Sequence, residues 1–381
     1  MSQFKNIIVT GGAGFIGSNL ALKLISSGCK VTILDNLSQQ IHGNNPKETS
    51  PLFLSIKDKA DFILGDVNNY DDWEKAVADN EVIVHLAAET GTGQSMYQIR
   101  RYMNTNIGGT ANMLDLLTNT NTSVKKVVIA SSRSIYGEGK YLSDVNGIVY
   151  PKHRSGAEMD KGNFEVTYPG EHKSLQLMPT DEESKIHPSS IYGISKQTQE
   201  QMVLVACAAM GIAGVAFRYQ NVYGPGQSLS NPYTGILSIF STQIKNGLPI
   251  NIFEDGKESR DFVFIDDVVT ATILGIDNPA ADNEVFNGGS GVATTVMEVA
   301  EALIENYGSK VPLNVTGNYR LGDIRHNYAD LTKIRKLLGF TPSVKFEDGI
   351  RRFCDWVNQQ QVQNSNYEES LNEMKAKGLF K

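Results

Sequence analysis

The sequence predicts an α/β fold built on a doubly wound parallel sheet, with a smaller and discontinuous C-terminal lobe. In the first half of the chain, short apolar runs alternate with amphipathic segments of helical length, which is the pattern of βαβ units. A glycine-rich turn follows the first apolar run and opens the first helical segment. Beyond residue 223 the alternation becomes irregular, and we expect the second lobe there.

The predicted elements follow from these periodicities. Strands are expected at 6–10, 30–34, 61–64, 82–86, 127–130 and 213–218. Helices are expected between them at 15–27, 70–79, 94–118 and 190–211. Later helices are expected at 233–246, 266–276, 296–307, 331–338 and 346–361.

The domain boundaries are placed where the pattern changes. Residues 1–222 form the predicted main domain, to which a strand and helix at about 262–286 return. Residues 138–188 lack a sustained period and are expected to be an ordered insertion with a short hairpin. Two segments, 223–261 and 287–361, make up the predicted second lobe. The polar tail at 362–381 has one possible helix and no assigned function.

Composition disfavours several classes of protein. The net charge of −7 over 381 residues disfavours binding to nucleic acid or to an anionic membrane. The three cysteines lie far apart, and the six histidines lack ligand spacing, so we expect neither a disulfide framework nor a metal site. No apolar run reaches 18 residues and no leader pattern is present, which predicts a cytoplasmic protein without a membrane partner.

The stretch NIIVTGGAGFIGSNLALKLISSGCKVTILDN, residues 6–36, predicts a dinucleotide site. Gly11, Gly14 and Gly17 stand where the backbone must turn sharply, approach a pyrophosphate and let helix meet strand. The first helical residues, Phe15 and Ile16, belong to a helix N-terminus that offers free N–H groups to phosphate. A glycine pattern alone is also typical of a simple turn, but the strand–helix–strand context favours the dinucleotide.

The acid that ends the second strand selects the cofactor. Asp35 lies about 20 residues after the glycines, beside Asn36, where a carboxylate can accept both ribose hydroxyls. The same carboxylate repels a 2′-phosphate, so NAD is favoured over NADP. We expect both residues to contact NAD.

Three other strand ends are expected to border NAD. Asp66 and Val67 end the third strand and are predicted to meet the adenine, although Asp66 is also a plausible helix N-cap. Leu86, Ala87 and Ala88 end the fourth strand, where small residues let the cofactor lie against the edge of the sheet.

A tyrosine and a lysine four residues apart form the predicted catalytic pair. Tyr192 and Lys196 share one face of the helix predicted at 190–211. A phenol with a pKa near 10 serves as a base at neutral pH only if a nearby cation stabilises the phenolate. Ser132, at the end of a strand, is predicted to hold the substrate oxygen. Tyr-x-x-x-Lys is common on helices, and only the preceding dinucleotide motif makes the catalytic interpretation specific.

Together these motifs resemble the extended short-chain dehydrogenase/reductase superfamily, in particular its NAD-dependent nucleotide-sugar epimerases and dehydratases. The resemblance spans about residues 5 to 355 and rests on Gly11-x-x-Gly14-x-x-Gly17, Asp35, Asp66-Val67, His85-Leu86-Ala87-Ala88, Asn106-x-x-Gly-Thr110, Ser131-Ser132, Tyr136-Gly137, Tyr192-x-x-x-Lys196 and Arg218-x-x-Asn221-Val-Tyr-Gly-Pro-Gly226. It implies a Rossmann-type domain with tightly held NAD, which Asn106 also contacts, and a substrate lobe for a nucleoside-diphosphate sugar. The stretches AAETGTGQSMYQIRRYMNTN and NPYTGILSIFSTQI look closest to the dTDP-L-rhamnose 4-epimerase-like branch.

The resemblance also implies a set of substrate contacts. Ile252 and Phe253 would flank the base, Arg260 and Arg320 would bind phosphate, and Asp323 would meet a ribose hydroxyl. Taken singly, each arginine is equally compatible with a surface ion pair.

The sugar contacts are expected nearer the catalytic pair. Asn221 stands where the family has its sugar-binding asparagine, and Thr92, Ser132 and Ser134 are predicted to contact the same sugar. The segment after Thr92 is equally compatible with a simple start of the next helix.

The residues after Ser132 favour one reaction of the family. The resemblance implies that dehydratases carry an acid pair there, whereas this chain has Arg133 and Ser134. We therefore predict an isomerase of the EC 5.1.3 type that epimerises C4 through a 4-keto intermediate, for surface polysaccharide synthesis. The alternatives are a 4,6-dehydratase, an epimerase acting at another carbon and a non-enzymatic NAD-sensing regulatory protein.

Two further expectations concern surfaces. The insertion begins and ends near catalytic residues and is a candidate for substrate selection, through Arg154 or Lys152, or else a solvated loop or dimer contact. By resemblance, the helices at 94–118 and 190–211 would pair in a homodimer as a four-helix bundle.

Overall fold

The computed structural model of the chain describes residues 3–233, 235–361 and 367–381. Residue 234, within the helix predicted at 233–246, and residues 362–366 of the predicted tail lie outside the described residues.

The strands vary in length from two to seven residues. They are β1 Asn6–Thr10, β2 Lys30–Asp35, β3 Asp61–Leu64, β4 Val82–His85, β5 Lys126–Ser132, β6 Tyr141–Ser143, β7 Gly147–Val149, β8 Gln176–Leu177, β9 Ala213–Tyr219, β10 Asn221–Tyr223, β11 Ile250–Ile252, β12 Ser259–Arg260, β13 Phe262–Phe264, β14 Val285–Gly288, β15 Thr294–Thr295, β16 Leu313–Val315 and β17 His326–Asn327.

The helices include several of a single turn. They are α1 Phe15–Ser26, α2 Gln39–His42, α3 Pro46–Thr49, α4 Pro51–Ile56, α5 Tyr70–Val77, α6 Thr92–Ser95, α7 Ile99–Tyr102, α8 Gly109–Asn119, α9 Gly156–Met159, α10 Ile191–Met210, α11 Ile236–Lys245, α12 Ile265–Asp277, α13 Val296–Tyr307, α14 Thr332–Leu338, α15 Phe346–Asn358 and α16 Tyr367–Ala376.

A parallel seven-stranded sheet in the order β14-β9-β5-β4-β1-β2-β3 organises the main domain. Its strands are apolar on both faces because helices cover both sides. In β1, Ile7 and Val9 enter one core while Ile8 enters the core on the opposite face. The strand order reverses between β1 and β4, and their carboxyl ends create the crevice in which such sheets bind ligands.

The predicted doubly wound α/β fold is confirmed, and the strands expected in the first 220 residues lie within two residues of their predicted bounds. The helix expected at 94–118 is interrupted. It consists of α6, α7, a π-helical turn at Met103–Gly108 and α8. The wide turn places Asn106 inward, where it bonds to neighbouring elements, and such turns often mark functional sites.

The insertion is a small sheet of its own. Strands β6 and β7 form an antiparallel hairpin, and β8 pairs with the other edge of β6. Tyr141, Val149 and Val166 form a local hydrophobic core beneath it.

The second lobe contains helices α11, α13 and α15 and the parallel pair β11–β16. Strand β14 follows α12 and joins the edge of the main sheet beside β9. The last described residues, α16 and the extension to Lys381, run back to the second lobe, where the backbones of Tyr319 and Lys381 exchange two hydrogen bonds.

Candidate active site

The glycine turn after β1 forms a bare cradle at the start of α1. Gly11 has a φ of +64°, and a Cβ there would lie 2.8 Å from the Ala87 amide nitrogen. A Cβ on Gly17 would lie 2.2 Å from the Gly11 carbonyl oxygen. No side chain among the described residues caps the helix, so its first N–H groups, at Phe15 and Ile16, are free for an anion. The cradle fits a dinucleotide pyrophosphate.

The carboxylate of Asp35 closes the ribose end of this cradle. It accepts from the amides of Ala13 at 2.9 Å and Leu37 at 2.8 Å, which fixes its orientation. Burial raises its pKa, whereas the backbone hydrogen bonds and nearby His42 act in the opposite direction. His42 lies 3.9 Å from Asp35 and lines the same cavity, a neighbour that the sequence pattern did not reveal.

Most of the other predicted cofactor residues border this cavity. They are Asn36, Val67, Leu86, Ala87 and Ala88. Asp66 does not line it. Its carboxylate instead accepts from the side chain of Asn36 at 2.9 Å and from the amide of Asn68 at 2.8 Å. Asp66 thus reaches the cofactor site only by orienting Asn36, and the helix N-cap of α5 is Asn69.

Asn106 is the clearest departure among the predicted cofactor contacts. It is fully buried and outside the cavity lining. Its amide group exchanges hydrogen bonds with the backbone of Glu89 and donates to Ser195 Oγ at 2.8 Å. Ser195 in turn donates to the carbonyl of Tyr192 at 2.8 Å. The prediction of a direct contact is corrected: Asn106 joins the loop after β4 to the catalytic helix.

Tyr192, Lys196 and Ser132 meet in the same cavity. The hydroxyl of Ser190 caps α10 by accepting from the Gly193 amide at 3.1 Å, which places Tyr192 in the first turn and Lys196 one turn later. Ser132 Oγ accepts from both the amide and the hydroxyl of Ser134, at 3.2 and 3.0 Å, and lies close enough to the Tyr192 phenol to lower its pKa. The proton of Ser132 is not needed by Ser134 and is available to an acceptor in the cavity.

Burial controls the acidity of this group. It raises the pKa of Tyr192, while the neighbouring Ser132 hydroxyl and the charge of Arg133 lower it. Burial also lowers the pKa of Lys196 to about 7. Lys196 Nζ donates to the Ala130 carbonyl at 2.9 Å, and its remaining protons are available to the cavity. The lysine therefore exchanges protons near neutral pH beside the tyrosine that needs a cation.

Arg133 lines the cavity, although the sequence analysis considered it only as the absence of a dehydratase acid. Its Nε donates to Asn221 Oδ1 at 2.9 Å, and both residues line the cavity. Burial lowers the pKa of Arg133 to about 9, so the guanidinium is still a cation at neutral pH. Among the described residues, no acceptor bonds to its two terminal nitrogens, which are free for an oxygen-rich ligand.

The far end of the cavity belongs to the second lobe. Phe253, Arg260, Arg320 and Asp323 line it there, whereas Thr92, which also lines the cavity, belongs to α6 of the main domain. Arg320 and Asp323 form an ion pair at 2.7 Å, and the Arg320 guanidinium lies over the Phe253 ring at 5.5 Å. Arg260 is anchored by backbone carbonyls, including that of Ile324 at 2.6 Å. Two cations and an aromatic ring suit a diphosphate joined to a planar base.

Ile252 is placed differently from the prediction. It is fully buried in the main hydrophobic core and does not line the cavity. Side chains alternate along a strand, so Asn251 and Phe253 face the cavity while Ile252 faces away. The predicted contact of Ile252 with the base is therefore wrong, whereas Phe253 does line the cavity.

Comparison with known proteins agrees with this geometry. Residues 7–153 and 166–289 match the model of the NAD dependent epimerase/dehydratase family, which is more than half of the chain. The chain belongs to this family. It is 35% identical to the dTDP-L-rhamnose 4-epimerase of Burkholderia thailandensis, over 93% of this chain and 96% of that protein.

Solved structures of the family have the same fold. The UDP-glucose 4-epimerase of Thermotoga maritima, solved with UDP-glucose, matches with a TM-score of 0.74 at 30% identity, covering 93% of this chain and 99% of that one. The UDP-glucose 4-epimerase of Thermus thermophilus, solved with NAD, matches with a TM-score of 0.72 at 25% identity, covering 93% and 100%. The predicted family and the predicted cofactor, NAD, are confirmed.

The insertion supports the cavity indirectly, through residues that line it. Arg154 is nearly buried and donates to both carboxylate oxygens of Glu254, at 2.7 and 2.8 Å, and to the Asp323 carbonyl at 3.0 Å. Glu254 and Asp323 line the cavity, whereas Arg154 does not. Lys152, the other residue singled out in the insertion, is exposed. The insertion therefore braces the second lobe.

No helix within 3–233, 235–361 or 367–381 has the length and apolar character needed to cross a membrane. A group of carboxylates, Glu254, Asp255 and Glu258, lies close enough to hold a cation. Arg325 already pairs with two of these carboxylates, donating to Glu254 at 2.9 Å and to Asp255 at 2.7 Å.

Proposed function

We propose that the protein interconverts the C4 epimers of a nucleoside-diphosphate sugar, with NAD as the hydride carrier. The observation that carries this proposal is the meeting of Tyr192, Ser132 and Lys196 beside the glycine cradle, with Arg133 and Ser134 after the serine. The relatives named above are nucleotide-sugar 4-epimerases, in agreement with the activity predicted from the sequence.

The residues divide the work as their positions allow. Tyr192 as phenolate removes the proton of the C4 hydroxyl, and Ser132 holds the same oxygen. The glycine cradle and Asp35 would hold NAD, which would supply the hydride acceptor and donor for C4. Arg133 and Asn221 lie beside this position and supply donors to the sugar. Inversion then requires only that the 4-keto sugar rotate and present its other face.

Elimination is disfavoured by the same residues. A 4,6-dehydratase needs an acid to protonate the C6 hydroxyl and a base to remove the C5 proton. The hydroxyl of Ser134 is bonded to Ser132, and Arg133 is a cation at neutral pH. The nearby carboxylate of Glu138 is buried and accepts from the Arg325 amide at 2.7 Å. None of these groups is placed as a free acid beside Ser132.

Turnover in D2O followed by NMR tests the reaction. The 4-epimer should form without deuterium in the sugar, since the hydride returns directly. Deuterium at C5 with a 6-deoxy-4-keto product would establish a dehydratase instead. Bound NAD with no turnover of any sugar would favour the NAD-sensing alternative.

For the substrate we propose a dTDP-6-deoxyhexose, with dTDP-L-rhamnose and its C4 epimer as the first pair to assay. The support is the similarity to the Burkholderia protein over nearly the whole of both chains. A panel of dTDP-, UDP-, GDP- and CDP-sugars at equal concentration decides it by comparison of kcat/KM. Cytoplasmic location and a role in surface polysaccharide synthesis are predictions from the sequence.

We also propose a homodimer in which the helical stretch 94–118, which includes α7 and α8, and helix α10 form a four-helix bundle. Ile194 and Val205 are 11 residues apart, three helical turns, so they share one face of α10, and they are 40% and 72% exposed. Ile99, on neighbouring α7, is 47% exposed. Replacing Val205 with Glu should convert a dimer to monomers in light scattering, whereas the same change at exposed Val145, in the insertion, should not. A wild-type monomer would exclude the dimer.

A further inference from the structure

The residues 367–381, here named the C-terminal segment, lie along the second lobe. Tyr319 and Lys381 exchange backbone hydrogen bonds of 2.9 and 3.0 Å, and the amide of Leu321 donates to Leu379 at 3.0 Å. The ring of Phe380 lies 5.0 Å from that of Phe253, the aromatic wall of the cavity. The C-terminal segment is thus hydrogen-bonded to residues 319 and 321, which flank Arg320.

The same segment is also fixed to the opposite side of the cavity. Glu373 accepts from the hydroxyls of Tyr97 and Tyr233 at 2.9 and 3.1 Å. Met374 packs against Gly93 so closely that a Cβ added to Gly93 would lie only 2.9 Å from the Met374 sulfur. The segment therefore bridges the loop after β4 in the main domain and the second lobe.

One face of helix α16 borders the cavity. Tyr367, Ser370 and Met374 line it, and the spacing of three and four residues puts them on the same side of the helix. The cavity is the one that contains Tyr192 and Arg320. Tyr367 is only 8% exposed and yet its hydroxyl makes no hydrogen bond to any residue that the structure describes.

The charges around Tyr367 indicate what its hydroxyl binds. Arg320 and Asp323 are close enough to affect its ionisation, and burial raises the pKa of Tyr367 to about 12. The phenol is therefore protonated at neutral pH and is a donor. A donor beside a guanidinium in a buried position suits an anionic phosphate oxygen.

We propose that the C-terminal segment is a wall of the nucleotide-sugar pocket and that Tyr367 is a specificity-determining residue whose hydroxyl donates to the substrate diphosphate bound by Arg320. This inference rests on the proposed function, since it requires a nucleoside-diphosphate sugar in the cavity. Phe380 assists by holding Phe253 in place against the base.

Binding of dTDP, UDP, thymidine and uridine to the NAD-loaded protein, measured by calorimetry, tests the proposal. Tyr367→Phe should weaken the binding of dTDP and of UDP by about ten-fold or more, because a hydrogen bond to a charged group is lost. Binding of the nucleosides, which lack phosphate, should be unchanged. Glu369→Ala, at an exposed position of the same helix, is the matched control and should bind like the wild type.

A chain ending at residue 361 should lose affinity for both nucleosides and nucleoside diphosphates while its content of NAD stays the same. Tyr367→Phe binding dTDP and UDP within two-fold of the wild type would overturn the role of Tyr367. An equal loss for thymidine would place the effect away from the phosphates and would also overturn it.

These outcomes are separable from a failure of the proposed function. Wild-type binding of nucleoside diphosphates without epimerisation of any sugar would refute the epimerase activity, and a Tyr367-dependent affinity would still support the pocket wall. A wild type that epimerises and a Tyr367→Phe variant with unchanged KM and kcat would support the function and refute this inference.

Discussion

Arg133 and Asn221 are joined by a 2.9 Å hydrogen bond from Nε to Oδ1, at the wall of the cavity that contains Tyr192. Both side chains border the place where the sugar is expected. The positive charge also lowers the pKa of Tyr192, so under the proposed function the pair would link sugar binding to the acidity of the base.

Replacing Arg133 with Ala should therefore move the acidic limb of the kcat profile to higher pH, by about one unit. The phenolate loses a neighbouring cation and forms less readily. The measurement is kcat against pH from 5 to 10, with NAD content determined for each variant. Arg133→Lys retains a charge and should show the smaller shift, and an unshifted profile in Arg133→Ala would contradict the electrostatic role.

Replacing Ser132 with Ala should lower kcat by about 100-fold, the scale of a lost acid–base partner. The hydroxyl of Ser132 lies close enough to the Tyr192 phenol to lower its pKa, and it accepts a hydrogen bond from the hydroxyl of Ser134. NAD should stay bound, since the glycine cradle is untouched. Ser134→Ala is the comparison and should cost less than Ser132→Ala; a fully active Ser132→Ala enzyme would rule out the assignment.

Replacing Asp35 with Ser should reduce the NAD retained through purification and reduce discrimination against NADP. The change removes the carboxylate that would accept the ribose hydroxyls and repel a 2′-phosphate. Cofactor content by absorbance and titration with both dinucleotides measure it. Asp58→Ser serves as control, because Asp58 is exposed and lies outside the cavity lining; equal losses in both variants would show that Asp35 has no special role.

The parts of the site that the sequence predicted best are those defined by backbone and short spacing. Gly11, Gly14 and Gly17 are dictated by turns and close approaches, and Tyr192 with Lys196 by one helical turn. Local rules of this kind do not depend on the rest of the fold. The strand–helix alternation similarly gave the order of elements in the main domain.

The errors come from contacts between distant parts of the chain. Asn106 was predicted to contact the cofactor, but its side-chain amide instead makes hydrogen bonds to Glu89 and Ser195, which lie 17 and 89 residues away in the sequence. The predicted contact of Ile252 was wrong because a strand of three residues is too short for the sequence to show which side chains face the cavity. The role of the C-terminal segment depends on its docking beside Tyr97 and Phe253, which no local pattern announces.

The last prediction concerns His85, which is fully buried at the end of β4. Its ring nitrogens lie 2.7 Å from the hydroxyl of Thr10 and 3.1 Å from that of Thr110, an arrangement that suits the neutral ring. Burial, with a smaller effect of Lys196, lowers its pKa from 6.5 to about 3. Between these two pH values the unfolded chain therefore carries one proton more than the folded protein at this residue.

Stability must then fall as the pH falls below about 6.5, by up to about 1.4 kcal/mol per pH unit from His85 alone. The resulting loss in the free energy of unfolding reaches about 3 kcal/mol at pH 4 and levels off near pH 3. His85→Gln should be less stable than the wild type at pH 7, because its hydrogen bonds are disturbed, but should lose less stability on acidification. Urea unfolding of the NAD-loaded proteins from pH 7 to pH 4 measures both effects. His172→Gln, at an exposed position, should follow the wild type throughout; parallel curves for wild type and His85→Gln would show that His85 does not contribute to acid sensitivity.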